Sequence, residues 1–301
     1  MISVVISAHN EEKNIRDCID SVADFASEII VIDNDSTDRT AELAEKMDAI
    51  VYKQLNDVKK IDIQKNFGFE KATMPWVLSL DADERITPAL AAEMIKEISK
   101  DSKTAGYWIP RKNIIFGKWI RHSIWWPDYQ LRLFRKNKGR FPHATVHLPL
   151  EVKGETKHLS EPMEHKSYDT IQGFVNRLNN IYTEVEAESA FNSKKMHWSD
   201  AIRLPVSDFL KTFFLQRGYK DGMHGLVLSM LQAFYMFIVA AKVWEKQGFY
   251  ERGEKEILKG VEKEFQNVSA EGKYWIFSAY QNETRNPLKK MFYIISKKLI
   301  S

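Results

Sequence analysis

The chain has 301 residues, 44% of them apolar and 12% aromatic, and a formal charge of +3. That composition supports a folded core and excludes global disorder. A charge so near zero, with no recognition-helix, zinc-finger or aromatic-basic RNA-binding pattern, excludes a dedicated nucleic-acid binder.

The run "ISVVIS" reads as a first buried strand and not as a signal peptide, because no basic start precedes it. Asn10 then opens a helix with Ile15, Cys18, Ile19 and Val22 at helical spacing. Cys18 is the single cysteine, so no disulfide forms within one chain, which fits a reducing compartment. "EIIVID" is a second strand ending at Asp33. "NDSTDRT" supplies turn and capping residues, Ser36 and Asp38 among them, for the helix "AELAEKM". "AIVYKQ" is a third strand, a polar helix covers about 61–72, and "WVLSLD" is a fourth strand. Thr87-Pro88 combines an N-cap with proline at the first helical position and predicts a helix to about Lys100. Continuous apolar strands alternating with helices predict an α/β fold with a mostly parallel sheet covered on both faces.

From Ala105 to about Tyr168 the pattern turns aromatic and β-branched, and predicts irregular strands in an antiparallel addition. Thr170 starts a helix with Ile171, Phe174, Leu178, Ile181 and Val185 on one face. "GLVLSMLQAFYMFIVAAKVW" is apolar almost all round, but Ser229 and Gln232 interrupt it and it falls short of a full membrane span. The tail "PLKKMFYIISKKLIS" places Leu288, Met291, Phe292, Ile295 and Leu299 on one stripe flanked by Lys289, Lys290, Lys297 and Lys298. Such a helix suits a membrane interface, or a contact with another domain or chain. The expected organisation is residues 1–200 as one domain, with halves over 1–104 and 105–168, followed by a helical, membrane-associating extension over 201–301.

In an open parallel sheet, ligands bind beyond the carboxyl ends of the strands. Three strands here end in "SAHNEE", "DNDSTD" and "DADE". Asp81, Asp83 and Glu84 crowd one turn, where like charges repel unless something positive sits among them. A hard divalent cation, Mg²⁺ or Mn²⁺, completed by substrate phosphates answers that need. The first loop has no glycine fingerprint and the chain no Walker loop, which disfavours a nicotinamide dehydrogenase. His143 and His147 have a helical ligand spacing, but "FPHATVHLP" reads as extended, so a zinc hydrolase is set aside.

The series "VVISAHNEE", "IVIDNDSTDRT", "QKNFGFEKA" and "WVLSLDADE" resembles the signature motifs of the family 2 glycosyltransferases with the GT-A fold. "WWPDYQLRLFRK", "EPMEHKSY" and the aromatic C-terminal helices are similar to the subgroup that includes lipopolysaccharide-core glucosyltransferases. The resemblance implies a GT-A nucleotide-diphospho-sugar transferase fold with a helical C-terminal extension. It implies an inverting, metal-dependent hexosyl transfer from a nucleotide-sugar, a UDP-sugar in the first instance. The acceptor would be a lipid-linked glycan at the inner face of a cytoplasmic membrane.

The residues it implies for donor binding are Ser7, Ala8, Asn10 and Glu11 in the first loop and Asp33 at the base. Lys65, Asn66, Asp81 and Ala82 complete that set. Ser7 and His9 replace the proline and tyrosine usual in the first motif. Asp81, Asp83 and a late histidine, His165, are the implied metal ligands. Asp128 is the candidate base that takes the acceptor hydroxyl's proton, with Pro127 where relatives carry Glu before an acceptor helix. Arg132 follows at helical spacing and is placed to pair with Asp128 or with phosphate, and Trp125 and Trp126 suit stacking on a sugar. Two other readings stay open on residues alone: a nucleotidyltransferase, and a non-catalytic membrane scaffold that keeps the fold.

Overall fold

Strand β1 (Ile2–Ala8) is buried along nearly all of its length, as its unbroken apolar run predicts. The structure, a computed structural model, describes all residues except 58–60, 101–102, 143–148, 194–195 and 300–301. Helix α1 (Ile15–Ala23) follows and buries Ile15, Cys18, Ile19 and Val22. Asn10 does not open this helix. It sits at φ +55°, in the left-handed region that Asn tolerates, and Asn14 stands at the helix start.

Next come β2 (Glu28–Asn34), α2 (Thr40–Glu45), β3 (Ile50–Gln54), α3 (Ile61–Lys71) and β4 (Trp76–Asp81). The short β5 (Glu84–Arg85) leads to α4 (Pro88–Ile98), where the Thr87 hydroxyl accepts from the Leu90 amide at 3.2 Å as the capping pattern predicts. The second half contains β6 (Thr104–Ile115), β7 (Lys118–Trp119), β8 (Asp128–Arg135), β9 (Gly139–Arg140), β10 (Glu151–Val152), β11 (Glu155–His158) and β12 (Met163–Tyr168).

The main sheet runs β3-β2-β1-β4-β8-β6-β12-β5, with β7 and β11 also on β6 and a separate β9–β10 pair. The first four strands are parallel. Strand β8 is antiparallel to both β4 and β6, whereas β11 and β12 run parallel to β6. The second half is therefore mixed rather than antiparallel throughout. Residues 128–135 are a strand, so no helix carries Asp128 and Arg132.

Two features of this sheet position the site. Between β6 and β8, Tyr107 opposes Leu133 and Trp108 opposes Leu131, which leaves Arg132 as one extra residue. Such a bulge re-aims the side chain it carries. At the far end, β12 pairs with β5 so that His165 opposes Glu84, beside the acidic turn.

The sheet is packed on both faces. One core joins Val4, Ile6, Leu78 and Leu133 to α1, α2 and α4. The other joins Val5, Ile32, Val77 and Phe134 to Phe69 and Ala72 of α3 and to Phe141 and Leu150. Gly68 lets α3 lie close to the strands: a Cβ there would stand 2.5 Å from Val5 Cγ1 and 2.8 Å from Ile32 Cγ1, inside van der Waals contact with stiff β-branched groups.

The chain divides into two compact units, residues 1–119 with 126–169, and residues 120–125 with 170–301. In the second, Thr170 caps α5 (Ile171–Arg177) by accepting from the Gly173 amide at 3.0 Å. A wider turn over 178–182 joins it to α6 (Thr183–Ser193), and α7 (Asp200–Leu210), α8 (Met223–Lys246), α9 (Glu254–Glu283) and α10 (Pro287–Lys298) follow. Ala187 of α6 packs on Val239 and Val243 of α8, and Lys242 and Lys246 pair with Glu184. Those contacts group α5 and α6 with the later helices, so this unit begins at Thr170 where the sequence pattern places a boundary near 200. In the sequence the apolar stretch of α8 falls short of a membrane span, but the helix extends over 24 residues and is long and apolar enough to cross a membrane by length and composition, with 33% of that apolar window buried within the protein.

Candidate functional site

The loops after β1 and β2 are fastened to each other. The Asn10 amide donates to Ser36 Oγ at 2.9 Å, and Asn10 Oδ1 accepts from the Thr37 amide at 2.8 Å. The Glu11 amide donates to Thr40 Oγ1 at 2.7 Å, and its carboxylate accepts from Asn14 Nδ2 at 2.7 Å. Asp38 accepts from the amides of Glu12 and Thr40 and so joins the first loop to the start of α2, where Arg39 holds the N-cap position without a side-chain cap bond; Ser36, also expected to cap that helix, serves Asn10 instead. Asn34 Nδ2 reaches Ser7 Oγ and the Ala8 carbonyl, both at 3.0 Å, and so ties the two strand ends together. Asp33 is buried beside them and accepts from the Ser36 amide at 3.2 Å. The implied donor-binding residues Ser7, Ala8, Asn10, Glu11 and Asp33 thus share one sheet edge, cross-linked before any ligand arrives.

The acidic turn is where expectation and structure part. Asp81, Asp83 and Glu84 have three different environments. Glu84 is fully buried. Its Oε1 accepts from Arg132 Nη2 at 2.6 Å, its Oε2 accepts from the Asp81 amide at 3.0 Å, and Arg111 Nη1 lies 3.6 Å away. Asp81 pairs with Lys65 Nζ and Arg132 Nη2, each at 2.7 Å. Burial would raise the Asp81 carboxyl, but these two cations hold it well below the usual carboxylate range. Much of the positive charge that the crowded acids demand therefore belongs to the protein itself. Arg85 fixes the turn from behind by donating to the carbonyls of Ala82 at 2.7 Å and Glu84 at 2.8 Å. Cys18 is buried beneath, Sγ 3.7 Å from the Asp81 carbonyl, and burial pushes its thiol up, so it is inert.

Asp83 meets His165. His165 Nε2 lies 3.5 Å from Asp83 Oδ2, while Nδ1 lies 2.6 Å from Asn113 Oδ1. Asn113 in turn donates to Asp128 Oδ2 at 3.1 Å. A histidine that donates from Nδ1 to an amide oxygen presents the Nε2 lone pair toward the carboxylate, the tautomer a metal ligand needs. Among the described residues no three His, Cys, Asp or Glu side chains form a ready-made cage. Two donors of this kind nevertheless fit Mg²⁺ or Mn²⁺, which takes few protein ligands and fills its shell with water and phosphate oxygens.

Asp128 opens β8, held by Arg111 Nη2 at 2.6 Å and Nε at 2.8 Å and by Gln130 Nε2 at 2.7 Å. Burial pushes its carboxyl up, but Arg111, Asn113 and Gln130 outweigh burial and keep it below its ordinary value. Trp126 packs edge-on against Trp119 at 5.3 Å. Lys65 sits over the Phe141 ring, 5.5 Å from its centroid. Asn66 does not face outward: its Nδ2 donates to the Phe141 carbonyl and its Oδ1 accepts from the Phe141 amide, both at 2.9 Å, which uses its groups to clamp a loop. His143 and His147 lie outside the described residues.

The profile of the family described as Glycosyl transferase family 2 matches residues 3–150. Residues 3–150 are a family 2 glycosyltransferase domain. The sheet with its acidic turn after the fourth strand is a GT-A fold, and the protein is a glycosyltransferase. It is 26% identical over 259 residues to the lipopolysaccharide core biosynthesis glycosyltransferase LpsC of Rhizobium meliloti (strain 1021), over 83% of this chain and 94% of that one. It is 29% identical over 261 residues to an uncharacterized glycosyltransferase of Rickettsia bellii (strain RML369-C), over 81% of this chain and 86% of that one. Among solved structures, S. aureus TarS 1–349 matches with a TM-score of 0.43 and 16% identity over 83% of this chain and 93% of that chain.

Four residues of this candidate site carry no signal of their role in the sequence: Glu84, Arg85, Arg111 and Asn113. Each has at least one partner distant in the chain, Arg132 for Glu84, the Asn14 carbonyl for Arg85, Asp128 for Arg111 and His165 for Asn113, so spacing carries no signal for it. Arg132 did leave one. Its strand alternates Gln130, Leu131, Arg132, Leu133 and then shows a second apolar residue, Phe134, and that break in period marks the bulge.

Proposed function

We propose that the protein transfers a hexose, with inversion, from a UDP-sugar to a lipid-linked glycan of the cell envelope. The observation that carries this reading is the Asp83–His165 pair at 3.5 Å, on the turn that follows β4 and beside the cross-linked loops of β1 and β2. The divalent ion would be held by Asp83 and His165 and would offset charge developing on the leaving diphosphate. Asp33 would take the base or ribose, and Ser7, Ala8, Asn10 and Glu11 would line the nucleotide. Lys65, Asp81 and Ala82 would border the diphosphate, with Asn66 shaping the wall through Phe141. The name of the Rhizobium meliloti relative, which aligns over 94% of its length, supports lipopolysaccharide core as the acceptor class.

Asp128 is the base in this reading. Its carboxylate is ionised at neutral pH; Arg111 and Asn113 occupy Oδ2, while Oδ1 accepts from Gln130 and keeps a lone pair for the acceptor hydroxyl. Asp128→Asn is expected to abolish transfer while UDP and Mn²⁺ bind as before by isothermal titration. Turnover within tenfold of wild type would move the base elsewhere, to Glu151 or His147. A thermal-shift panel of UDP- and GDP-sugars with Mn²⁺ tests the donor: a UDP-sugar should raise the melting point by mass action, and no shift with any would sink the donor assignment.

A lipid-linked acceptor would hold the enzyme at the inner membrane face, peripherally, through the helices of residues 205–301. Helix α10 supports this: Leu288, Met291, Phe292, Ile295 and Leu299 are each more than half exposed, four lysines flank them, and the helix has no acidic residue. Lys289→Ala/Lys290→Ala should weaken binding to anionic vesicles by about 2 kcal/mol, roughly 30-fold at low salt. Failure of the wild type to co-sediment with such vesicles would contradict the surface assignment.

A further inference from the structure

The acidic turn carries two aspartates, yet the protein treats them oppositely. The Asp81 side chain is 31% exposed, and behind it stand Lys65 and Arg132, each 6% exposed, both 2.7 Å from its oxygens. Lys65 binds Oδ1 and Arg132 binds Oδ2, so each carboxylate oxygen has its own cation. These cations are not incidental. Arg132 reaches Asp81 because the β8 bulge throws it out of the strand's alternation, and the same Nη2 is anchored on Glu84 at 2.6 Å. Its Nε is buried with no hydrogen-bond partner among the described residues, so the guanidinium is placed for its carboxylates at the cost of an unmade bond. Lys65 is likewise out of solvent and shares itself between Asp81 and Asp62, the latter at 3.4 Å. Asp83, by contrast, faces the imidazole of His165.

We infer that Lys65 and Arg132 withhold Asp81 from metal coordination in the nucleotide-free enzyme, so that a divalent ion is taken up only together with a nucleoside diphosphate. The inference rests on the metal reading of the Proposed function and deepens it. With Asp81 occupied, the turn offers an approaching ion the Asp83–His165 pair and the repulsion of two fixed cations. A dication alone meets too few donors and an unfavourable field. A diphosphate changes both conditions. It supplies the missing oxygens to the ion, and its negative charge offsets Lys65 and Arg132. Ion and nucleotide are thereby coupled, and by reciprocity each raises the affinity of the other by the same factor.

The test is Mn²⁺ binding to the full chain, by isothermal titration and by the electron paramagnetic resonance signal of free Mn²⁺, with and without saturating UDP. Wild type is expected to bind Mn²⁺ at least tenfold more tightly with UDP. Arg132→Gln, which removes one cation and frees Asp81 Oδ2, is expected to raise nucleotide-free Mn²⁺ affinity by roughly tenfold and so to shrink the coupling. Lys65→Met makes the same demand through Oδ1 and serves if Arg132→Gln does not fold, as judged by circular dichroism. Arg132→Lys keeps a cation and should stay near wild type. Mn²⁺ binding to wild type that is indifferent to UDP overturns this inference alone. So does a folded Arg132→Gln or Lys65→Met with unchanged nucleotide-free affinity. Absence of Mn²⁺ binding even with UDP overturns the metal reading itself, and this inference with it.

Discussion

Glu84→Ala is expected to lower the free energy of unfolding by about 3–5 kcal/mol, the cost of removing one partner from a buried ion pair. At about 2–4 °C per kcal/mol for a protein of this size, the melting point falls by roughly 6–20 °C. The reason is the number of groups that converge on one fully buried carboxylate. Oε1 takes Arg132, with Arg111 nearby, and Oε2 takes the Asp81 amide. Alanine leaves Arg132 with only Asp81 for its charge and leaves the turn without its internal acceptor. Glu84→Gln keeps an oxygen for the Asp81 amide but no charge for Arg132, so it should recover about half of the loss. Urea unfolding followed by circular dichroism measures both. A cost below about 1 kcal/mol for Glu84→Ala would mean that Glu84 is not the structural centre of this turn.

That expectation shows where sequence reasoning stops. The strands and helices of the first hundred residues are legible because local rules agree: apolar runs of strand length, helical spacing on α1, and a Thr-Pro start on α4. The convergence of three polar loops follows from the parallel sheet alone. Asn signals both a helix cap and a left-handed turn, and at Asn10 the structure uses the second, so the helix starts a few residues later than the sequence suggests. Spacing makes the acids one group because it cannot assign partners. Asp81, Asp83 and Glu84 acquire separate duties only through Lys65 on α3, Arg132 on a bulged strand and His165 on β12, at separations of 16 to 82 residues along the chain. The helix that the resemblance implies after Asp128 is absent, and the strand character read over 105–168 holds there. The segment's polar-apolar alternation is strand-like, and its pairing with β6 and β4 decides the matter.

Separate duties for the two aspartates give the second large effect. Asp83→Asn is expected to reduce kcat by about 10³-fold, the scale of losing one electrostatic stabiliser of a transition state, while changing the urea midpoint little. Asp83 faces a histidine, which carries charge only when protonated, so the amide there disturbs the turn less than it does at Asp81, whose two oxygens each meet a buried cation. Asp81→Asn differs in kind. It leaves Lys65 and Arg132 buried with one fewer counter-charge, and should lose stability as well as turnover. A double substitution at 81 and 83 would merge the two effects and hide the distinction, so the single variants are the informative ones. His165→Ala removes the other proposed donor and should resemble Asp83→Asn in kind, with kcat falling and UDP binding without metal retained. If Asp83→Asn turns over UDP-sugar within tenfold of wild type at saturating donor, Asp83 does not hold the ion. A fall for Asp81→Asn alone would then assign the chemistry to the Lys65–Asp81–Arg132 cluster, where the protein's own cations would meet the leaving diphosphate.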